Sequence, residues 1–95
     1  MVTIDVHCVS TVEGGWNCEV ALREGGLDVS RHRVRVSAAD LARLGGGAAT
    51  PNDLVRASFA FLLEREPPGS ILHAFRLTDI SGYFPEYERE IKGAI

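Results

Sequence analysis

Apolar and polar residues alternate along the first part of the chain. Single polar residues separate the apolar positions of residues 2–8, and a similar alternation runs through residues 16–22. A period of two is typical of a strand that buries one face. Gly14 and Gly15 lie between these segments and favour a turn, so the pattern predicts an antiparallel hairpin.

A third strand is predicted after a second glycine turn at residues 25–26. In residues 30–36, His32, Val34 and Val36 face one way, and Arg31, Arg33 and Arg35 face the other. The even-numbered residues of all three strands share one face only if each connection has an odd number of residues, because a one-residue slip inverts a strand. We therefore expect a three-stranded antiparallel meander with one apolar face and one polar face.

A short helix is predicted directly after the sheet. Ser37 and Asp40 have the spacing of a capping box, with aspartate in place of the usual glutamate or glutamine. Gly45 is a natural stop. These signals place the helix over residues 38–44.

A longer helix is predicted to begin at Thr50. Thr50 is its N-cap, Pro51 fits the first helical position, and Asp53 is favourable to the helix dipole. The helix is expected to run to about Glu66, because the two prolines at residues 67–68 end it.

The middle of the longer helix, residues 57–63, is apolar nearly all round. One sheet face cannot cover such a helix, so its far side needs the C-terminal segment or a second subunit. A chain of 95 residues also builds only a modest core alone. We therefore expect a homodimer. Its predicted interface residues are Phe59, Phe61, Leu62 and Leu63.

The segment of residues 71–77 fits two structures. It is either a short helix or an extended segment in which Ile71, Phe75 and Leu77 pack inward. A final helix is expected around Pro85. Its buried face is formed by Phe84, Tyr87 and Ile91.

Two further contacts are predicted for the C-terminal tail. Glu88 and Lys92 have the i,i+4 spacing of a helical ion pair. Tyr83 and Phe84 are expected to dock the tail on the core.

Together these elements predict one α+β domain over residues 1–95. Residues 1–36 form the meander, and residues 37–95 form a helical part whose long and C-terminal helices pack on one sheet face. The 45% hydrophobic content and the net charge of −3 are those of a globular protein and exclude intrinsic disorder.

The N-terminal sequence has no basic region followed by an apolar stretch, and no segment has the ~18 apolar residues of a membrane span. We expect a cytoplasmic protein without membrane contact, in which Cys8 and Cys18 stay reduced. Both cysteines point to the same face of the hairpin, where a free cysteine behaves as a small hydrophobe.

Motifs for catalysis, metal binding and nucleotide binding are missing. The chain has no C-x2-C or H-x3-H pair, no G-x-S-x-G elbow and no Walker A sequence. We therefore expect no catalytic residue, no metal and no cofactor. The glycine-rich residues 45–50 fit either a flexible connection or a weak anion site that uses the Thr50 hydroxyl.

The most suggestive cluster is the arginine row, which consists of Arg31, Arg33 and Arg35. At a rise of ~3.3 Å per residue it is about 13 Å long. Asp5, Glu19 and Glu24 lie on or near the neighbouring strands and can pair with it in a cross-strand charge lattice. The alternative is contact with an acidic ligand or a phosphate backbone. The net charge of −3 excludes bulk attraction to nucleic acid, although residues 31–63 hold five arginines against two aspartates.

Three consecutive segments carry a family resemblance. They are the His-Arg-Val-Arg-Val-Ser strand of residues 32–37, the short helix through Leu44, and the Pro-Asn-Asp-Leu-Val-Arg-Ala-Ser-Phe run of residues 51–59. Residues 31–66 thereby resemble a ribbon-helix-helix DNA-binding domain. The resemblance implies that the arginine row faces a DNA groove and that amides near Thr50 hold a phosphate.

Two functions follow from these observations. Because each enzymatic signature is missing, we expect a small non-catalytic interaction or regulatory module, homodimeric and with a possible protein partner. The alternative, less favoured, is an antitoxin-like or transcription-regulating DNA-binding protein that uses the arginine row.

Overall fold

The computed structural model describes residues 1–46 and 49–94 of the chain. Within these residues the strands are β1 (Val2–Ser10), β2 (Trp16–Glu24), β3 (Leu27–Val36) and β4 (Ala74–Arg76). The α-helices are α1 (Ala38–Gly45), α2 (Pro51–Leu63), α3 (Ile80–Tyr83) and α4 (Tyr87–Ala94). Two 3₁₀ turns lie at Pro68–Ser70 and Leu77–Asp79. The α+β fold is therefore confirmed.

The first three strands form the predicted antiparallel meander, and the sheet order is β1-β2-β3-β4. The even-numbered residues of the meander are the more buried ones along most of each strand, as the alternation predicted. The fourth strand was not predicted. It pairs in parallel with residues 33–35 of β3, so the sheet is mixed.

The connection between β2 and β3 corrects one expectation. It consists of two residues, Gly25 and Gly26, whereas an odd number was expected. A two-residue connection by itself would turn the even-numbered side chains of β3 to the outer face. Ser30 pairs with Leu22, but the next pair is Asp28 with Arg23, so Val29 is an extra residue in β3. This β-bulge restores the alternation and returns the even-numbered residues of β3 to the inner face.

Both predicted helix starts are confirmed. The Ser37 hydroxyl accepts a hydrogen bond from the Asp40 amide at 3.0 Å. Helix α1 ends one residue later than predicted, because Gly46, with φ of 71°, adopts the left-handed conformation that favours glycine. At the start of α2 the Thr50 hydroxyl accepts from the Asp53 amide at 3.1 Å, and the Asp53 carboxylate accepts from the Thr50 amide at 3.4 Å.

Helix α2 ends at Leu63 rather than near Glu66. The amides of Arg65 and Glu66 both donate to the Leu62 carbonyl, each at 2.9 Å, so the chain turns before the two prolines are reached. The expectation overestimated the helix because it used the prolines as the only stop signal.

Helix α2 contacts β1 and β2 on one side and α4 on the other. Three of the residues expected at a dimer interface, Phe59, Phe61 and Leu62, are at most 5% exposed within the single chain. Leu63 is half-buried. The C-terminal segment therefore provides the cover that the apolar helix needs. The reason for placing a second subunit there is removed, and dimerisation stays a prediction.

The C-terminal segment follows the extended alternative for residues 71–77. Ile71 and Leu77 are buried and Phe75 is half-buried, all as predicted. Tyr87 and Ile91 of α4 are buried as predicted, and the Phe84 ring packs edge-on against Phe61 with centroids 5.8 Å apart.

Two predicted contacts of the tail are wrong. Tyr83 is 67% exposed and does not dock on the core. Glu88 does not pair with Lys92 among the described residues. Its carboxylate instead contacts the guanidinium of Arg43 and accepts from the hydroxyl of Ser81 at 3.2 Å.

Cys8 and Cys18 form a disulfide, which contradicts the expectation that both are reduced. The two residues lie directly opposite each other in the register of β1 and β2, and their Cα atoms are 4.0 Å apart. They do share the inner face, as predicted. None of the helices within residues 1–46 and 49–94 could span a lipid bilayer.

Candidate functional site

The outer face of the sheet carries the arginine row. Arg31, Arg33 and Arg35 are all exposed there, as the alternation predicted. Strand β4 adds Arg76 to the same face, directly opposite Arg35 in the parallel register. The contribution of Arg76 was not predicted, because the sequence pattern of residues 71–77 fits both a helix and an extended segment.

One end of the arginine row is neutralised. The Asp28 carboxylate accepts from Arg31 at 2.9 Å and from Arg23 at 2.8 Å, and Arg23 lies 3.3 Å from Asp5. The hydrogen bond from Arg31, supported by the charges of both arginines, holds the pKa of Asp28 below its usual value. Asp28 was not among the predicted partners of the row.

The other end of the row is not neutralised in the same way. Arg33 and Arg35 make no ion pair within residues 1–46 and 49–94, although Glu19 lies directly opposite Arg33 in the register. Arg76 lies 3.8 Å from Asp79. Among the described residues, none of the predicted partners Asp5, Glu19 and Glu24 pairs with the row, and the ion pair that forms is Arg31 with Asp28. The exposed arginines at this end of the face, Arg33, Arg35 and Arg76, are here called the basic patch; only Arg76 has a carboxylate within ion-pair distance among the described residues.

Two shallow depressions lie on the outer face, one on each side of Arg33. Their volumes are about 530 Å³ and 650 Å³. Both are lined by Glu19, Arg33 and Ala74. The small side chain of Ala74 lowers the surface between its larger neighbours, so the guanidinium of Arg33 is accessible from both depressions.

His7 and His73 line the first depression together with Asp5 and Glu19. His73 is hydrogen-bonded through Nδ1 to the Arg31 carbonyl at 3.1 Å. Among the described residues, neither histidine is hydrogen-bonded to a carboxylate. The part of the chain that the structure describes also has no cluster of three metal-ligating side chains. The outer face can therefore hold an anion by charge, and the residues described on it form no hydrogen-bonded acid–base pair.

His32 is buried on the inner side of β3 and joins this strand to the segment that precedes β4. Its Nδ1 donates to the Leu72 carbonyl at 2.7 Å, which leaves Nε2 to accept from the Ser30 hydroxyl at 2.8 Å. The ring is 3% exposed and stacks on His73 with centroids 5.6 Å apart. Burial lowers the pKa of His32 below its usual value. His32 thereby holds the segment before β4 against β3 and, although buried, contributes to the lining of the first depression.

The structure does not bring Thr50 to the arginines. Thr50 caps α2, which packs against the inner face of the sheet, whereas the arginine row lies on the outer face. Its hydroxyl and amide are both engaged with Asp53, whose negative charge opposes a bound anion. The part of the predicted anion site at residues 47–48 lies outside the described residues.

Comparison with protein-family models, with curated proteins and with solved structures found no match to this chain. The ribbon-helix-helix resemblance accordingly stays a hypothesis. A ribbon-helix-helix domain pairs its strand with that of a second copy, but residues 33–35 of β3 pair with β4 here. A DNA contact by this chain would use the outer face of the sheet rather than a two-stranded ribbon.

Proposed function

We propose that the chain is a small non-catalytic interaction module that binds an acidic segment of a partner protein on the outer face of its sheet. The observation that carries this proposal is the basic patch. Arg33 and Arg35, the two members of the patch on β3, have no ion-pair partner among the described residues. Five other arginines lie within ion-pair distance of a carboxylate: Arg23, Arg31, Arg43, Arg65 and Arg76.

The spacing of the basic patch suits an extended ligand. Arg33 and Arg35 lie ~7 Å apart along β3, and Arg76 lies ~4.8 Å away from Arg35 on the neighbouring strand. Two carboxylates on alternate residues of an extended segment have the same ~7 Å spacing. Each guanidinium offers a planar fork of donors that a carboxylate accepts in two hydrogen bonds.

The overall charge makes this attraction local. The chain carries a net charge of −3, so an acidic partner is repelled except at the patch. Glu19, exposed opposite Arg33, further restricts where carboxylates fit. Such an arrangement favours a defined register of the acidic segment over general binding of polyanions.

The test is a fluorescence-anisotropy titration at low salt with a labelled eight-residue peptide of alternating Glu and Ser. The wild-type chain is expected to bind it, and Arg33→Ser/Arg35→Ser is expected to weaken binding about tenfold, as for the loss of two exposed ion pairs. Arg89→Ser/Lys92→Ser, which removes two exposed charges from α4, is the matched control. Absence of binding, or an equal loss in the control, contradicts the proposal.

Duplex DNA is the second candidate ligand, because the same exposed arginines can contact phosphates. A DNA duplex in the same titration separates the two functions. A DNA-binding protein is expected to prefer the duplex and to lose affinity steeply as the salt concentration rises. Arg33→Glu is expected to bind the duplex more weakly than wild type. Glu19, in the middle of the face, favours the discrete acidic peptide over a continuous phosphate backbone.

A further inference from the structure

A third concave feature adjoins the basic patch, since Phe75 and Asp79 line both it and the depression at Arg35 and Arg76. It is a cleft of about 280 Å³ between the C-terminal end of α2, residues 70–75 and α3. Its lining is mainly apolar, and its polar members are Glu66, Ser70 and Asp79.

The cleft combines a fixed floor with exposed walls. Leu62, Ile71 and Ile80 in the floor are each 3% exposed. Leu72 and Tyr83, which also line the cleft, are 49% and 67% exposed. Exposed large apolar side chains beside a buried apolar floor are typical of a site that binds another molecule. The apolar surface of the walls, formed by Leu72 and Tyr83, is therefore available to a ligand.

The charge of the cleft indicates which molecule fits. Asp79 is engaged by the Arg76 amide at 3.0 Å and lies 3.8 Å from the Arg76 guanidinium. Glu66 is half-buried and makes no ion pair within the described residues. A carboxylate held against apolar side chains without a cation gains most from a positively charged partner group.

The size of the cleft limits the part of the ligand that enters it. Pockets for whole small-molecule ligands measure roughly 300–1,000 Å³. At about 280 Å³ the cleft is smaller and suits a single large side chain inserted from a longer segment. Binding sites of this type place an apolar anchor in a desolvated pocket and polar contacts at its rim.

The geometry points to a docking site for a short segment of a partner protein in which a large apolar side chain lies within two residues of Lys or Arg. The apolar side chain enters between Leu72 and Tyr83, and the basic side chain pairs with Glu66. The basic patch has the opposite charge preference. This docking site is therefore independent of the proposed function, and either can exist without the other.

The experiment is selection of a phage-displayed random heptapeptide library on the immobilised full chain, followed by anisotropy titration of the enriched peptides. Enrichment of an apolar residue close to Lys or Arg is expected. Glu66→Gln is expected to weaken these peptides about fivefold, as for loss of one exposed ion pair. Glu64→Gln, an exposed acid that does not line the cleft, is the matched control and is expected to leave affinity unchanged.

Two more variants make the outcome decisive. Leu72→Ser/Tyr83→Ser removes both exposed walls and is expected to weaken binding at least tenfold without altering the core. Glu66→Lys is expected to change the selected peptides from basic to acidic, a gain that misfolding cannot produce. The inference is overturned if no such peptide is enriched, or if enriched peptides bind the wall and Glu66 variants as well as wild type. Peptides that depend only on Arg33 and Arg35 also overturn it, while supporting the proposed function.

Discussion

The Tyr87 hydroxyl lies 2.6 Å from the Ser58 hydroxyl, and both side chains are fully buried between α4 and α2. Ser58 donates to the Leu54 carbonyl at 2.7 Å, so Tyr87 is the donor to Ser58. Burial raises the pKa of Tyr87 to about 12, which keeps the phenol neutral. This hydrogen-bonded chain fixes α4 over the apolar side of α2, where a second subunit was expected.

The direction of these hydrogen bonds predicts that loss of the Tyr87 hydroxyl and loss of the Ser58 hydroxyl lower stability by different amounts. Tyr87→Phe leaves Ser58 bonded to Leu54 and is expected to lower the free energy of unfolding by about 1 kcal/mol. Ser58→Ala leaves the buried phenol donor without a partner and is expected to cost about 2 kcal/mol. Urea unfolding measures both.

The double variant tests the explanation. Ser58→Ala/Tyr87→Phe is expected to be more stable than Ser58→Ala alone, because it removes the unsatisfied donor. Tyr83→Phe, at an exposed position, is the control and is expected to change stability little. Additive losses in the double variant would contradict this account.

The disulfide predicts a measurable gain in stability. Cys8 and Cys18 are separated by 10 positions, and closing a loop of that length in the unfolded chain is worth about 3 kcal/mol. Cys8→Ala/Cys18→Ala is expected to lower the midpoint of urea unfolding accordingly, and wild type in excess reductant is expected to match it. Alkylation followed by mass spectrometry checks the premise, since two labelled thiols in the unreduced protein would refute it.

The buried His32 predicts a stability that depends on pH. Its pKa lies below the unfolded value of 6.5 because burial opposes the charge and the neighbouring His73 repels it, although the Leu72 carbonyl acts the other way. The unfolded chain therefore binds the proton more tightly. The contribution of His32 is fully present above pH 6.5 and is lost as the pH falls below that value toward the folded pKa.

Urea unfolding between pH 8 and pH 5 measures this effect. The His32→Gln variant is expected to be less stable at pH 8 and to lose less stability on acidification than wild type. His7→Gln, at an exposed position of the outer face, is the matched control. A pH profile that stays the same in His32→Gln would assign the acid sensitivity to other groups.

The sheet illustrates what the sequence determines locally. Alternation alone predicted the inner and outer faces of β1, β2 and β3, and the caps at Ser37 and Thr50 predicted two helix starts, because these signals act within a few residues. The bulge at Val29 was not predictable in this way, since its cause is the two-residue turn combined with burial of β3 on the sheet.

The candidate sites depend on contacts between distant parts of the sequence, which local patterns do not predict. The arginine row was predicted, but the contribution of Arg76 depends on the parallel pairing of β4 with β3 across about 40 residues of sequence. The cleft near Glu66 is likewise formed by segments that are distant in sequence and are brought together only by tertiary packing. The redox state of Cys8 and Cys18 was predicted incorrectly, because the prediction was based on the expected cellular compartment and not on the pairing of the two residues across the strands.

The free edge of β1 predicts a role for two side chains of α2. The Asn52 amide donates to the Val6 carbonyl at 3.1 Å, and the Arg56 guanidinium donates to the Ile4 carbonyl. Both carbonyls lie on β1, the edge strand of the sheet, which pairs only with β2 within the described residues and where another copy of the chain could pair. Asn52→Ala/Arg56→Ala is expected to increase self-association, measured by light scattering across a concentration series, and to cost about 1–2 kcal/mol in urea unfolding. Arg89→Ala, which removes an exposed arginine from α4, is the control. A double variant that scatters light as wild type does would show that the edge is protected by something other than these two hydrogen bonds.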